Sequence, residues 1–270
     1  MPATGKIVRS ILRRALREQQ LDRMVRWPVR PGGAIEPSLA VRPAPAPGDT
    51  MKLHHCVGAR SFRPLWALEA LGLSYELAML PFPPRVQAKE YLALNPLGTI
   101  PLFEDGETRM TESAAICEYL AARHGAGGLG VRPDEAEYGR YLNALHFGEA
   151  TLTFPQTLVL RYGRFEPPER RNPGLVADYA RWFLSRLKGF GAVLGDRRFV
   201  CAGRFTAADI SIGYALMLAE FAGLADQWPD FARTYWDGLK AEPSYARALA
   251  AERAAAEAQG ISPVPAPLGG

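Results

Sequence analysis

A cation and a hydroxyl group stand side by side at a bend early in the chain. Arg60 and Ser61 lie in the stretch CVGARSFRPLWALEALGL, between the apolar run MKLHHC and a helical pattern that begins at the serine. The first turn of a helix presents main-chain N–H groups without intrahelical acceptors, and the helix dipole adds to their attraction for negative charge. Arg60 and Ser61 are therefore candidates for holding an anion, and Ser61 is also a candidate helix cap.

A second polar pair lies at the start of another predicted helix, within MTESAAICEYL. Ser113 would offer its hydroxyl and the free N–H groups of the first turn to a carboxylate, while Glu112 could bind an ammonium group. The simpler interpretation is that Ser113 or Thr111 only caps the helix. Because capping leaves Glu112 without a role, we favour a binding function for this pair.

The elements that would position these residues follow an α/β order. Apolar periodicity and turn residues between positions 51 and 125 predict strand, helix, strand, short helix, strand, strand and helix. The Gly-rich stretch GAGGLGVRPDE then marks a domain boundary, and the chain from 134 to 258 is predicted to be all-helical. GISPVPAPLGG, within the tail at 259–270, is predicted to be frayed.

The positive charge of the chain is concentrated in residues 1–50, which hold nine Lys or Arg and four Asp or Glu. KIVRSILRRALREQQLDRMVRW predicts a basic amphipathic helix, followed by a Pro/Ala/Gly-rich linker that we expect to be poorly ordered. Such a helix can contact a membrane surface or a partner. We favour instead a loose extension, or a start codon assigned too early, because MKLHHC from Met51 resembles a natural beginning.

The rest of the chain is close to neutral, which does not favour nucleic-acid binding. Its three cysteines are widely spaced and suggest neither a disulfide framework nor a zinc site. His54 and His55 point to opposite faces of a strand and make a poor metal site, so no metal is expected. No window is apolar enough for a membrane span, and we expect a cytoplasmic protein.

Four motifs follow one another along the chain: ARSFRPLWALE with its hydroxyl at a helix start, NPLGTIPLF, MTESAAICEYL, and RFTAADISIGYAL. In this order and spacing they resemble the cytosolic, bacterial-type glutathione S-transferase family, in which the second motif is a cis-proline loop. The resemblance covers the chain from Met51 to about Ala250 and leaves residues 1–50 outside it. It implies a thioredoxin-like domain followed by an all-helical domain, glutathione as co-substrate and a homodimer.

The resemblance also implies which residues bind glutathione, an anionic tripeptide with two carboxylates. Glu112 and Ser113 would hold its γ-glutamyl end, and the main chain of Ile100, before a cis Pro101, would pair with its cysteinyl part. Arg85 would bind the glycine carboxylate. The alternative for Arg85 is a solvated surface charge.

Ionising the glutathione thiol is the chemistry that the bend would have to perform. A thiol pKa of about 8.5 must fall by about two units to give a thiolate near pH 6.5, which requires about 2.7 kcal/mol. A helix dipole supplies about 0.3–1 kcal/mol, and a hydrogen bond to a charged group about 1.5–3 kcal/mol. Ser61 is the proposed donor, with its oxygen accepting from the N–H of Arg63; Arg60 is the alternative group facing the sulfur.

The sequence departs from its relatives at this bend. Arg60 stands where some relatives have a catalytic cysteine, which speaks against a mixed disulfide with the protein, and Ala59 stands where others have a serine. Cys56 is interpreted as a core residue. The register of the catalytic group is therefore open between Arg60 and Ser61.

The first long helix of the second domain is expected to line the pocket for the second substrate. The candidates are Tyr141, His146, Phe147 and Glu149, with His146 and Glu149 on one side of the helix. A buried histidine with a neighbouring carboxylate is the alternative for that pair. Trp66, Trp182 and Trp236 are predicted to be core.

A purely structural role is assigned to TAAD, in which Thr206 and Asp209 form a capping box. The function predicted from all these residues is transfer of glutathione, held as thiolate, to a small hydrophobic electrophile. The alternatives are a glutathione-dependent lyase, isomerase or thiol reductase on the same site, and a non-catalytic binding module with this fold.

Overall fold

A computed structural model describes residues 51–125 and 128–268. The basic helix and linker predicted for residues 1–50 lie outside the described residues. None of the described helices combines the length and the apolar character needed to cross a membrane.

The first half of the described chain has the predicted element order, and the predicted fold class is confirmed. Its elements are β1 (Met51–His55), α1 (Phe62–Leu71), β2 (Tyr75–Met79), α2 (Pro84–Gln87), a 3-10 segment (Lys89–Ala93), β3 (Leu102–Asp105), β4 (Thr108–Met110) and α3 (Ser113–His124).

The four strands form one mixed sheet in the order β2-β1-β3-β4. β1 and β2 are parallel because α1 crosses over between them, whereas β3 pairs with β1 and β4 in antiparallel fashion. Leu53 in β1 lies opposite Leu77 on one side and Phe103 on the other. The end of β1 leads into the bend at residues 56–61, so the sheet fixes the position of that bend.

The second half of the described chain is helical. Its main elements are α4 (Tyr138–His146), a π-helical segment (Phe147–Thr153), α5 (Phe154–Leu160), a second π-helical segment (Arg161–Phe165), α6 (Pro173–Leu194), α7 (Ala207–Phe221), α8 (Asp230–Lys240) and α9 (Pro243–Ala258). Short 3-10 turns lie at Pro168–Arg170 and Ala225–Gln227.

The core is shared between the two halves, and Trp66 on α1 lies at its centre. The Trp66 ring is fully buried, 4.9 Å from the ring of Tyr245 and 6.5 Å from that of Trp236, and its Nε1–H donates to Ser244 Oγ at 3.0 Å. Burying these rings ties α1 to α8 and α9. The prediction that Trp182 is also core is wrong, because its side chain is 42% exposed on α6.

The predicted capping box at the start of α7 is present. The Asp209 carboxylate accepts hydrogen bonds from the N–H of Thr206 at 2.9 Å, the N–H of Val200 at 2.8 Å and the hydroxyl of Tyr235 at 2.7 Å. Burial nevertheless raises the pKa of Asp209 to about 6. These bonds join α7, α8 and the loop before α7.

Candidate functional site

A cavity of about 440 Å³ opens where the bend after β1 meets the helical half. The first half contributes Ala59 and Arg60 of the bend, the loop at 82–85 and the proline loop at 98–100. The helical half contributes Tyr214 and side chains between 157 and 166, and the C-terminal segment contributes Ala266 and Pro267. The cavity is therefore walled by three distant parts of the chain.

Arg60 is the member of the bend pair that faces this cavity. Its side chain is 38% exposed, its Nε lies 3.0 Å from Glu149 Oε1, and its Nη2 donates to Thr157 Oγ1 at 3.0 Å. Glu149 and Thr157 come from the helical half, so the second half of the chain aims a guanidinium that the first half supplies.

Glu149 is shared by a second arginine, Arg63, which is fully buried in the first turn of α1. Arg63 pairs with Glu149, donates to Ser113 Oγ at 3.2 Å and Thr153 Oγ1 at 2.7 Å, and stacks over the Tyr214 ring at 4.3 Å. Burial lowers its pKa, partly offset by the Glu149 carboxylate. Two guanidinium groups thus share one carboxylate, and the trio carries net positive charge beside the cavity.

The Ser61 side chain points into the protein interior and not into the cavity where it was predicted to lie. Its side chain is fully buried, and its Oγ accepts from the N–H of Cys56 at 3.3 Å. The predicted cap bond from the N–H of Arg63 is wrong, because that N–H donates to the carbonyl of Arg60 at 3.2 Å. Ser61 therefore closes the bend from inside and is not among the residues that line the cavity.

The thiol nearest to the bend, that of Cys56, is buried between Ala59 and Ala266. Burial raises the pKa of Cys56 to about 12, so this thiol stays protonated at neutral pH. Among the described residues that line the cavity there is no cysteine. The core interpretation of Cys56 agrees with this position.

Two of the predicted glutathione-binding positions do line the cavity. Arg85 and Ile100 belong to its wall, and the Ile100–Pro101 peptide bond is cis, as the family resemblance implied. Asn95 braces this loop, since its Nδ2 donates to the carbonyl of Thr99 at 2.8 Å.

The pair at the start of α3 is separated from the cavity wall. Ser113 is buried and its hydroxyl is the acceptor for Arg63, whereas Glu112 is exposed and makes no capping hydrogen bond with its side chain. Ser113 is thus connected to Arg60 through Arg63 and Glu149.

The predicted second-substrate pocket is largely wrong. Tyr141 is buried in the core, His146 is exposed at the end of α4, and Phe147 stacks on Phe190 with 5.8 Å between ring centroids. Glu149 alone reaches the site, through Arg60. At Gly148 a Cβ would come within 2.5 Å of Ser211 Oγ, so the chain packs directly on α7 at this point.

The helical half instead lines the cavity with residues that the sequence analysis did not select. They are Thr157, Leu160, Arg161, Phe165 and Glu166, about two to five helical turns after Glu149. These residues lie in α5, in the second π-helical segment and just after it, farther along the chain than the predicted set.

The C-terminal segment also contributes to the cavity wall, which the sequence did not predict. The prediction that this segment is frayed is wrong for residues 261–268. The N–H of Ala266 donates to the carbonyl of Val57 at 2.7 Å, and Arg164 Nη1 donates to the carbonyl of Pro267 at 3.0 Å. Gly58 has a φ of +66°, and a Cβ there would lie 2.8 Å from Pro265. The bend and the tail are therefore in direct contact.

Within residues 51–125 and 128–268 no group of three His, Cys, Asp or Glu side chains is arranged to hold a metal ion. The adjacent histidines are both engaged with carboxylates: His54 Nε2 lies 3.0 Å from Glu104 Oε1, and His55 Nε2 lies 2.7 Å from Glu252 Oε1.

Residues 49–122 match the family model described as the N-terminal domain of glutathione S-transferase. Glutathione S-transferase 3 of Schizosaccharomyces pombe is 36% identical over 100 residues, which are 37% of this chain and only 41% of that relative. Glutathione S-transferase 4 of Zea mays is 28% identical over 194 residues, covering 67% of this chain and 83% of the relative. A solved glutathione transferase of Phanerochaete chrysosporium, in complex with oxidized glutathione, superposes with a TM-score of 0.66 at 25% identity, covering 77% of this chain and 97% of that one.

Proposed function

Because the chain belongs to the cytosolic glutathione S-transferase family, we propose that it is a glutathione transferase that uses Arg60 to hold the thiolate. The thiolate sulfur would attack a small hydrophobic electrophile in the cavity beside the bend. For an aryl halide, a carbon–sulfur bond forms, chloride departs with the bonding electrons, and the thiol proton passes to solvent.

The observation that carries this proposal is the uneven charge of the Arg60–Glu149–Arg63 trio. One carboxylate between two guanidinium groups leaves a surplus positive charge, and Arg60 is the member exposed to the cavity. A positive charge within about 4–6 Å favours the thiolate and so lowers the pKa of a thiol. A thiol brought to this wall would be ionised at a lower pH than free glutathione.

The main chain of the bend supports the same proposal. Among the described residues, the N–H groups of Arg60 and Ser61 have no protein acceptor, whereas those of Phe62 and Arg63 donate to the carbonyls of Ala59 and Arg60. Ser61 is fully buried, so its N–H is not available to the sulfur. The N–H and the guanidinium of Arg60 together can supply the roughly 2.7 kcal/mol that a thiolate near pH 6.5 requires. In this proposal Ser61 supports the bend through Cys56 and does not touch the sulfur.

Glutathione would lie along the wall formed by the first half of the chain. Arg85 would bind the glycine carboxylate, and the main chain of Ile100 beside the cis Pro101 would pair with the cysteinyl part. Glu112 and Ser113 would hold the γ-glutamyl end. Since the Ser113 hydroxyl already accepts from Arg63, the first-turn N–H groups of α3 would bind that carboxylate.

A two-step measurement tests this function. Retention on immobilised glutathione with elution by free glutathione reports binding, and turnover of chlorodinitrobenzene with glutathione reports transfer. We expect both. Retention without turnover of any electrophile would indicate a binding module, and the absence of both would contradict the proposal.

The chain is also proposed to form a homodimer, as is common in this family. Large apolar side chains are exposed in the segment from α2 to the proline loop, namely Val86, Leu92, Leu94 and Leu97. Burying such side chains against a second copy is favourable by about 25 cal/mol per Å². Light scattering after gel filtration should give twice the mass of the chain; a mass of one chain at micromolar concentration would contradict the dimer.

A further inference from the structure

A second cavity, of about 710 Å³, lies next to the first. The two cavities have five lining residues in common, Phe82, Arg85, Phe165, Glu166 and Ala266. Residues of the C-terminal segment, among them Val264, also line this cavity. A ligand that starts at Arg60 and extends past the shared residues therefore enters the second cavity.

The boundary between the cavities is apolar. The rings of Phe82 and Phe165 stand there with 5.6 Å between their centroids, one ring from each half of the chain. Phe165 is 40% exposed, and Val264 on the second cavity is 50% exposed. Exposed apolar side chains lining a concave surface favour an apolar ligand body.

The second cavity carries an excess of positive charge. Arg164 and Arg171 pair with no carboxylate in the described parts of the chain, and their hydrogen bonds go to main-chain carbonyls, those of Pro267 for Arg164 and of Glu166 and Arg164 for Arg171. Glu166 lines both cavities, but its carboxylate is neutralised by Arg161 at 2.8 Å and Arg170 at 3.2 Å. The second cavity thus combines two uncompensated guanidinium groups with an apolar entrance.

We propose that the second cavity binds the far end of the electrophile and that the preferred electrophiles are organic acids, with an apolar body and a carboxylate at the end opposite to the reacting carbon. The body would lie against the Phe82–Phe165 pair, which borders both cavities, and Arg164 and Arg171 would bind the carboxylate. This inference rests on the proposed transferase function and adds the substrate class. Arg85, at the shared wall, stays with glutathione.

The test is a series of chlorodinitrobenzamides whose amide nitrogen carries an alkyl chain ending in a carboxylic acid, each compared with its methyl ester. The acid and the ester have the same reacting carbon and nearly the same shape, so the ratio of their kcat/KM values reports the charge preference alone. Varying the chain length finds the reach from Arg60 to the second cavity. At the best length we expect the wild-type ratio to favour the acid by about tenfold, because both arginines are partly solvated and water weakens their hydrogen bonds to the carboxylate.

The matched variants separate charge from packing. The double variant Arg164→Gln and Arg171→Gln should bring the acid-to-ester ratio close to one, whereas Arg164→Lys with Arg171→Lys should keep most of the preference. Arg181→Gln, on the exposed face of α6 and paired only with Asp178, should leave the ratio as in the wild type.

The possible results of these measurements either support or refute the binding of an acidic electrophile in the second cavity. A wild-type ratio near one at every chain length, with good turnover of both series, would refute it and leave the transferase function intact. The KM for glutathione is a second check. If the Gln double variant raises this KM by the same factor with the acid and with the ester as second substrate, the two arginines bind glutathione and the inference is refuted. If no electrophile is turned over, the transferase proposal fails, and calorimetric titration with the acid and ester decides the inference: equal affinities refute it, and tighter acid binding that the Gln double variant loses supports it.

Discussion

The first turns of α1 and α7 start alike in the sequence and differ in the folded chain. Each begins after a hydroxyl residue, Ser61 or Thr206. At α7 the third helical residue is Asp209, whose carboxylate accepts from the N–H of Thr206 and forms the capping box. At α1 the third residue is Pro64, which has no N–H to donate, and the Ser61 hydroxyl turns to Cys56.

The two helix starts differ in their roles. The start of α7 is closed by protein groups, fully buried, and serves the fold. The start of α1 keeps the N–H groups of Arg60 and Ser61 without acceptors among the described residues, next to a guanidinium that faces a cavity. A hydroxyl before a helix therefore does not by itself make a cap; the residue three positions later decides.

The largest expected effect is on stability, at α7. Asp209→Ala removes the acceptor of four buried donors, and we expect the free energy of unfolding to fall by about 3 kcal/mol, measured by urea denaturation. The matched control is Glu112→Ala at the start of α3, where no capping hydrogen bond exists to lose, with an expected change within about 0.5 kcal/mol. If both variants lose the same free energy of unfolding, the side-chain hydrogen bonds of Asp209 do not stabilise the protein as expected.

The next effect is on chemistry, at α1. Arg60→Gln should reduce kcat/KM for chlorodinitrobenzene at pH 6.5 by about tenfold, because loss of the cation raises the pKa of the bound thiol by about one unit while the main-chain N–H remains. The fold should persist, since Glu149 keeps its pair with the buried Arg63. Activity should recover as the pH rises, and Arg60→Lys should retain most of it. An unshifted pH profile in the Gln variant would remove Arg60 from the mechanism.

A smaller effect is expected at Ser61. Ser61→Ala leaves the N–H of Cys56 without its 3.3 Å acceptor, which should cost about 1 kcal/mol of stability by urea denaturation. The pH profile of the bound thiol should keep its midpoint. A midpoint raised by a unit or more would show that the hydroxyl faces the sulfur after all.

The smallest effect concerns pH. The pKa of Asp209 is raised to about 6 in the folded chain from an ordinary 3.8, so the folded state binds the proton more tightly than the unfolded state. Stability contributed by this group is therefore present at low pH and declines as pH rises through about 6, by about 1 kcal/mol between pH 5 and pH 7. Asp209→Asn should lose that decline, measured as the difference between wild-type and variant unfolding free energies across this range. An identical slope in both proteins would contradict the raised pKa.

How much of the site was predictable depends on how far apart in the sequence its parts are. Arg60, Arg85 and Ile100 lie in local patterns of the first half, and all three line the cavity. The helical wall was missed because apolar periodicity marks which residues are buried, as it does for Tyr141, but does not show which part of a long helical stretch meets the bend. The C-terminal wall was missed because a Pro-rich segment has no periodicity of its own, and its contact with Val57 is more than 200 positions distant in the sequence.

The sequence by itself determined the order of strands and helices, the boundary between the α/β half and the helical half, and the capping box of α7. These follow from periodicity, turn residues and pairs a few positions apart, which act before any tertiary contact forms. Only the tertiary structure decided which of two adjacent side chains faces the cavity. The N–H of Arg63 and the acceptor groups of Glu149 and Thr157 settle that choice, because they bond Arg60 and leave Ser61 to Cys56.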